Sequence, residues 1–158
     1  MPNINAISPG FFATLRTPLL AGRDFDERDA RSGAEQDFRH VIVNESFVER
    51  YLKGEQPLGK QIKALMDHNN PFGEIVGVVG DVKEGTVDRD PAPTIYYNEG
   101  HMASGSMVFV LRSRLQPAAL AEPARAIIRE LDPAQPVADI ATMDGVVRKT
   151  FARQQFSA

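Results

Sequence analysis

Apolar residues fall along this chain in short runs separated by turn signals, with helical and strand periodicities alternating between them. Ser8-Pro9 reads as an N-cap followed by proline at the first helical position, where its missing N–H costs nothing. Phe11, Phe12 and Leu15 then share one face, so the spacing predicts a short helix over 9–16 that Thr17-Pro18 ends. Gly22 marks a turn, and 31–37 reads as an exposed loop. Val41-Ile42-Val43 is the β-branched run of a strand covered on both faces. Asn44 caps a helix whose stripe is Phe47, Val48, Tyr51 and Leu52 and which Gly54 closes. Strands are predicted over 61–66 and 74–82 around a polar hairpin loop at 67–71, with Gly77 and Gly80 marking close backbone approach or a bulge. Another strand covers 94–97.

The glycine- and serine-bearing stretch 99–106 reads as a subdomain boundary, and 107–111 as the last buried strand. Leu120, Ala124, Ile127, Ile128 and Leu131 recur at helical spacing, with Pro123 setting either a kink or the helix start and Asp132-Pro133 its end. A short strand over 137–141 follows, and Met143, Val146, Val147, Thr150 and Phe151 begin a final helix. Hairpins beside βα units make this an α+β pattern.

Composition narrows the classes. In 158 residues, 42% hydrophobic and 25% charged content suits a globular chain with a core of its own. A net charge of −3 leaves no basic surplus for a nucleic-acid backbone, so no nucleic-acid partner is expected. The lack of cysteine removes disulfides, thiolate zinc sites and cysteine nucleophiles. Purely apolar runs such as 107–111 fall far short of the roughly 20 residues that span a bilayer. Residues 1–5 lack the basic and apolar regions of a signal peptide.

Candidate chemistry is sparse. The glycines of 77–81 match neither a dinucleotide fingerprint nor a Walker sequence and read as strand glycines. His40, His68 and His101 have no second ligand at helical spacing and read as solvated edge or loop residues. Asp24, Asp26, Glu27 and Asp29 form an acidic cluster interleaved with Arg23 and Arg28; it opens like a calcium loop and then departs from that order. Glu45 and Glu49 lie on a solvated helix face. No serine occupies a nucleophile elbow. No catalytic, cofactor-binding or metal-binding residue is assigned and no cofactor is expected; an enzyme using the 24–29 cluster with a metal is the catalytic alternative. Tyr96 and Tyr97, adjacent in a strand, must point to opposite faces. One is expected to be buried and the other more exposed, which makes the pair a candidate contact surface.

Several segments together resemble the periplasmic core domain of MacB-type ABC-transporter permeases, in the FtsX-like branch with duplicated permease halves. They are Ser8-Pro9-Gly10-Phe11-Phe12-Ala13-Thr14-Leu15 with Pro18-Leu19-Leu20-Ala21-Gly22-Arg23-Asp24-Phe25, and Val43-Asn44-Glu45-Ser46-Phe47 with Pro57-Leu58-Gly59-Lys60. Glu74 to Val82, Leu131-Asp132-Pro133 with Pro136-Val137, and Thr142-Met143-Asp144 to Phe156 continue the match in order. The structural signature it marks is Pro9, Phe12, Gly22, Arg23, Asn44, Pro57, Gly59, Gly77 and Asp81. Such permeases usually carry a hydroxyl-bearing aromatic where Phe12 stands and Gly-Ile where Arg16-Thr17 stand. Their first strand and helix have no counterpart in this sequence, which reads as a piece of a longer chain.

The resemblance implies a split porter-like α/β sandwich part, 1–39 and 105–145, with a small mixed α/β subdomain inserted at 40–98. Residues 146–158 would form a helix leading toward a transmembrane segment. It further implies a non-catalytic extracytoplasmic domain that couples ATP-driven helix motion to handling or efflux of substrate outside the membrane. The implied partners are a second permease half or subunit, a cytoplasmic ATPase acting indirectly, and a periplasmic adaptor. An extracytoplasmic sensor of a small molecule or peptide is the alternative.

Overall fold

Strand β3 (Phe38–Asn44) organises the architecture because its apolar residues Val41, Ile42 and Val43 are wholly buried, as a run without polar alternation requires. The computed structural model describes residues 1–29, 38–63, 72–82, 90–101 and 106–148. Contacts divide the chain into two units, Met1–Glu84 with Asp90–Val110, and Gly85–Arg89 with Leu111–Ala158.

The first unit is built on a six-stranded mixed sheet. Its strands are β1 (Asn3–Ile7), β2 (Leu19–Gly22), β3, β4 (Gln61–Ile62), β5 (Phe72–Val79) and β6 (Thr94–Asn98), in the order β1-β6-β3-β5-β2 with β4 also on β5. β1 runs parallel to β6 and β3 parallel to β5, whereas the β6–β3, β5–β2 and β5–β4 pairs are antiparallel. The α+β class predicted from the pattern is therefore the observed one. The hairpin expected between 61–66 and 74–82 is present as the β4–β5 pair, shorter than predicted; its loop at 67–71 lies outside the described residues, as does the 31–37 loop.

Both sheet faces are covered. Helix α2 (Glu45–Phe47) continues as a π-helical turn to Leu52, and Phe47 packs with Val41, Val43, Ile75, Val78, Ile95 and Tyr97. On the other face Phe12 of α1 (Phe11–Leu15) and Phe25 pack with Ile7, Ile42, Val79 and Tyr96. Tyr96 and Tyr97 thus alternate between faces as strand geometry requires, but they are only 1% and 4% exposed. With a helix or loop over each face neither ring reaches the surface, so the expected contact surface is not there. Tyr96 instead meets Phe12 edge to face, at 4.9 Å between centroids.

Other expectations need correction. The N-cap of α1 is Gly10, in the left-handed region at φ 82°, and Ser8 contributes its carbonyl to Phe11 N–H rather than a side-chain cap. Gly22 ends a strand rather than starting a turn. β1 and β2 join the same sheet as β3, β5 and β6, and residues 1–29 share one contact unit with 38–101.

The second unit holds α3 (Ala118–Leu131), with Pro123 inside it and none of its residues buried. The helix starts at Ala118, ahead of the proline. Residues 143–148 are helical, and Thr142 caps them through its hydroxyl to Gly145 N–H. The runs 107–111 and 137–141 were expected as strands and are not. Met107, Val108, Phe109 and Leu111 are exposed, and no strand among the described residues pairs with them. A strand's hydrogen bonds lie outside its own segment, so an apolar β-branched run becomes one only where a partner edge is supplied.

Two backbone positions carry most of the local specificity in the first unit. Gly22 and Gly77 are register partners across β2 and β5. A Cβ on Gly77 would sit 2.3 Å from the Arg23 carbonyl oxygen, and one on Gly22 would sit 2.1 Å from that of Val76. The close approach predicted at Gly77 is present; at Gly80 it is made by Pro18, whose Cγ would lie 2.9 Å from a Cβ. Gly77→Ala is expected to destabilise the chain by about 2 kcal/mol through this clash, measured by urea unfolding; an unchanged midpoint would show that the strands part at no cost. Arg16 closes α1 in the left-handed region at φ 60°, where a side chain is strained. Arg16→Gly is expected to raise stability by up to about 1 kcal/mol in the same assay, and a lower midpoint would contradict the strain.

Candidate functional site

Local sequence places two polar constellations on the sheet of the first unit. The first lies at the C-terminal end of β3, where Asn44 adopts extended backbone and its side-chain oxygen caps α2 by accepting from Phe47 N–H at 3.1 Å. The same oxygen accepts from Thr94 N–H at 2.8 Å. The amide nitrogen donates to Asp81 Oδ1 at 2.6 Å and to the Ala92 carbonyl at 2.9 Å. Asn44 is fully buried, and both its oxygen and its nitrogen are used twice, which is their full capacity. Asp81 also accepts from Ser46 N–H at 3.1 Å and from Ser46 Oγ at 2.7 Å. One side chain therefore joins the end of β3, the start of α2, the segment after β5 and the start of β6.

The second constellation grows from the Gly22–Gly77 approach. Because those backbones touch, Arg23 leaves the sheet edge at a defined point, its N–H bonded to the Val76 carbonyl at 3.0 Å. Its guanidinium grips Asp29 with two bonds, Nη1 to Oδ2 at 2.7 Å and Nη2 to Oδ1 at 3.0 Å. This is the fork geometry that makes arginine–carboxylate pairs strong. Asp29 Oδ2 also accepts from Asp26 N–H at 2.7 Å, and Asp29 Oδ1 lies 2.5 Å from Nδ1 of His40 on β3. A carboxylate only accepts, so Nδ1 carries the proton and donates; the 3.2 Å approach of Arg23 Nη2 to the same nitrogen is then proximity rather than a bond.

The Asp29 side chain is 1% exposed. Burial pushes its carboxyl up, but the hydrogen bonds from Arg23, Asp26 N–H and His40 outweigh that and hold it well below the usual carboxylate range. Arg23 is raised in turn, first through its bond to Asp29. Arg28 binds the exposed Asp26 carboxyl at 2.6 Å and lowers it to about 2.

The acidic cluster read from sequence thus resolves into arginine and backbone partners. Every described bond of Asp29 and Asp81 is accepted from a group of the chain itself, so these carboxylates tie the segments 23–29 and 44–46 to the sheet. Asp29 and His40 are the residues that sequence reasoning missed as a pair. His40 is a half-exposed strand residue facing a carboxylate rather than a solvated edge histidine. They lie eleven positions apart and His40 stands on β3, so no pattern within one element pairs them.

The signature residues converge in part. Gly22, Arg23 and Gly77 meet at the β2–β5 approach, and the neighbouring Gly59 donates its N–H to the Ile75 carbonyl at 2.9 Å. Pro57 opens that turn, its carbonyl accepting from Lys60 N–H. Asn44 and Asp81 bond each other, Phe12 lies in the aromatic core, and Pro9 stands apart in an exposed turn.

The family model of the MacB-like periplasmic core domain matches residues 2–142. The chain belongs to that family. It is an extracytoplasmic domain. Among solved structures the periplasmic region of MacB from Actinobacillus actinomycetemcomitans superposes with a TM-score of 0.58 at 19% identity, over 82% of this chain and 56% of that one. The extracellular domain of the noncanonic ABC-type transporter YknZ from Gram-positive bacteria gives 0.44 at 23% identity, covering 62% and 43%. A domain of a putative permease from Porphyromonas gingivalis gives 0.49 at 18%, covering 89% and 69%. The first likeness establishes a common fold, and the chain spans 56% of that MacB region. No curated protein matches the chain by sequence. No described helix is long and apolar enough to cross a membrane.

The two constellations are testable as fasteners of the sheet unit. Asn44→Ala removes the α2 cap and strips the buried Thr94 N–H and Ala92 carbonyl of a partner. It is expected to cost about 3 kcal/mol in urea unfolding; a loss below about 1 kcal/mol would mean water replaces the amide. For Asp29 the depressed folded value makes its contribution fully present above the unfolded carboxylate range and lost as pH falls through the folded value. Asp29→Asn should therefore cost about 2 kcal/mol at pH 7, with the gap to the unsubstituted chain narrowing below about pH 4. A gap that widens in acid would refute the assignment.

Proposed function

We propose that this chain is a non-catalytic module of an ABC-transporter permease, passing ATP-driven movement of the membrane helices to the handling or efflux of substrate outside the membrane. The observation that carries this reading is the family match over residues 2–142. It is supported by a polar inventory spent on internal fastening: Asn44, Asp81, Arg23 and Asp29 are all engaged within the sheet unit. A lever needs stiffness between the points where force enters and leaves, and buried, satisfied polar networks supply it.

In this reading residues 1–39 and 105–145 are the porter-like part and 40–98 the inserted small subdomain. The helix beginning at 143 leads toward a transmembrane segment. The partners are a second permease half or subunit, a cytoplasmic ATPase reached only through the membrane helices, and a periplasmic adaptor. Nucleotide chemistry resides in the ATPase.

The test is removal of residues 2–142 from the parent permease, reconstituted with its ATPase in vesicles. Substrate export is expected to be lost while basal ATP hydrolysis continues. Export at the unmodified rate would overturn the proposal.

A further inference from the structure

We draw no further inference here: the strongest candidate, the apolar surface that α3 leaves exposed, carries nothing because nothing in the structure shows what covers it.

Discussion

A single buried amide sets the geometry of the sheet unit. Asn44 has no access to water, so each of its donors and acceptors must be met by the protein or cost about 1–3 kcal/mol. They are met by groups from separate parts of the chain: the first turn of α2, the carboxylate of Asp81 and the strand entering β6. This requirement is directional where hydrophobic burial is not. Packing of Val41, Val43 and Phe47 would tolerate small slips of α2 over the sheet, whereas the amide accepts one arrangement. Helix, crossover and strand are therefore locked in register at one end of β3.

The other end of that strand is fastened differently. There the approach of Gly22 to Gly77 brings backbones into contact, and Arg23 and Asp29 then hold the following segment against His40. The β-bulge between β3 and β5 lies at the same level, where the register shifts between Val41 and Ile42 and leaves the Val76 carbonyl to accept Arg23 N–H. A missing side chain at two positions is what allows the ion pair to form. The result is a sheet whose central strand is fastened by polar contacts at Asn44 and His40 and packed on both faces.

In the sheet unit Asp29 is held low by Arg23, the Asp26 N–H and His40, and Asp26 by Arg28. Their chemistry is local fastening.

Much of the secondary structure was legible from residues alone because its causes are local. Val41-Ile42-Val43 is too apolar for a half-solvated strand, Asn44 followed by an apolar stripe announces a capped helix, and the glycines of 77–80 mark close approach wherever that strand is placed. The resemblance that the ordered segments carried also pointed to the family. What the residues could not determine is everything that depends on a partner far along the chain. β1 carries two asparagines and no strong strand pattern, and exists because β6, some ninety positions on, offers it an edge. The run 107–111 has a far better strand pattern and is not one, because none among the described residues does. Tyr96 and Tyr97 alternate as the pleat demands, yet only the covering of both faces decided that neither would be exposed. The Asp29–His40 contact likewise arises from the fold. Sequence determined which segments can be helix or strand, because backbone preference and amphipathic period are short-range. Tertiary structure decided which of them are realised and which polar groups meet, because hydrogen-bond pairing and burial are satisfied only by what the rest of the chain brings alongside.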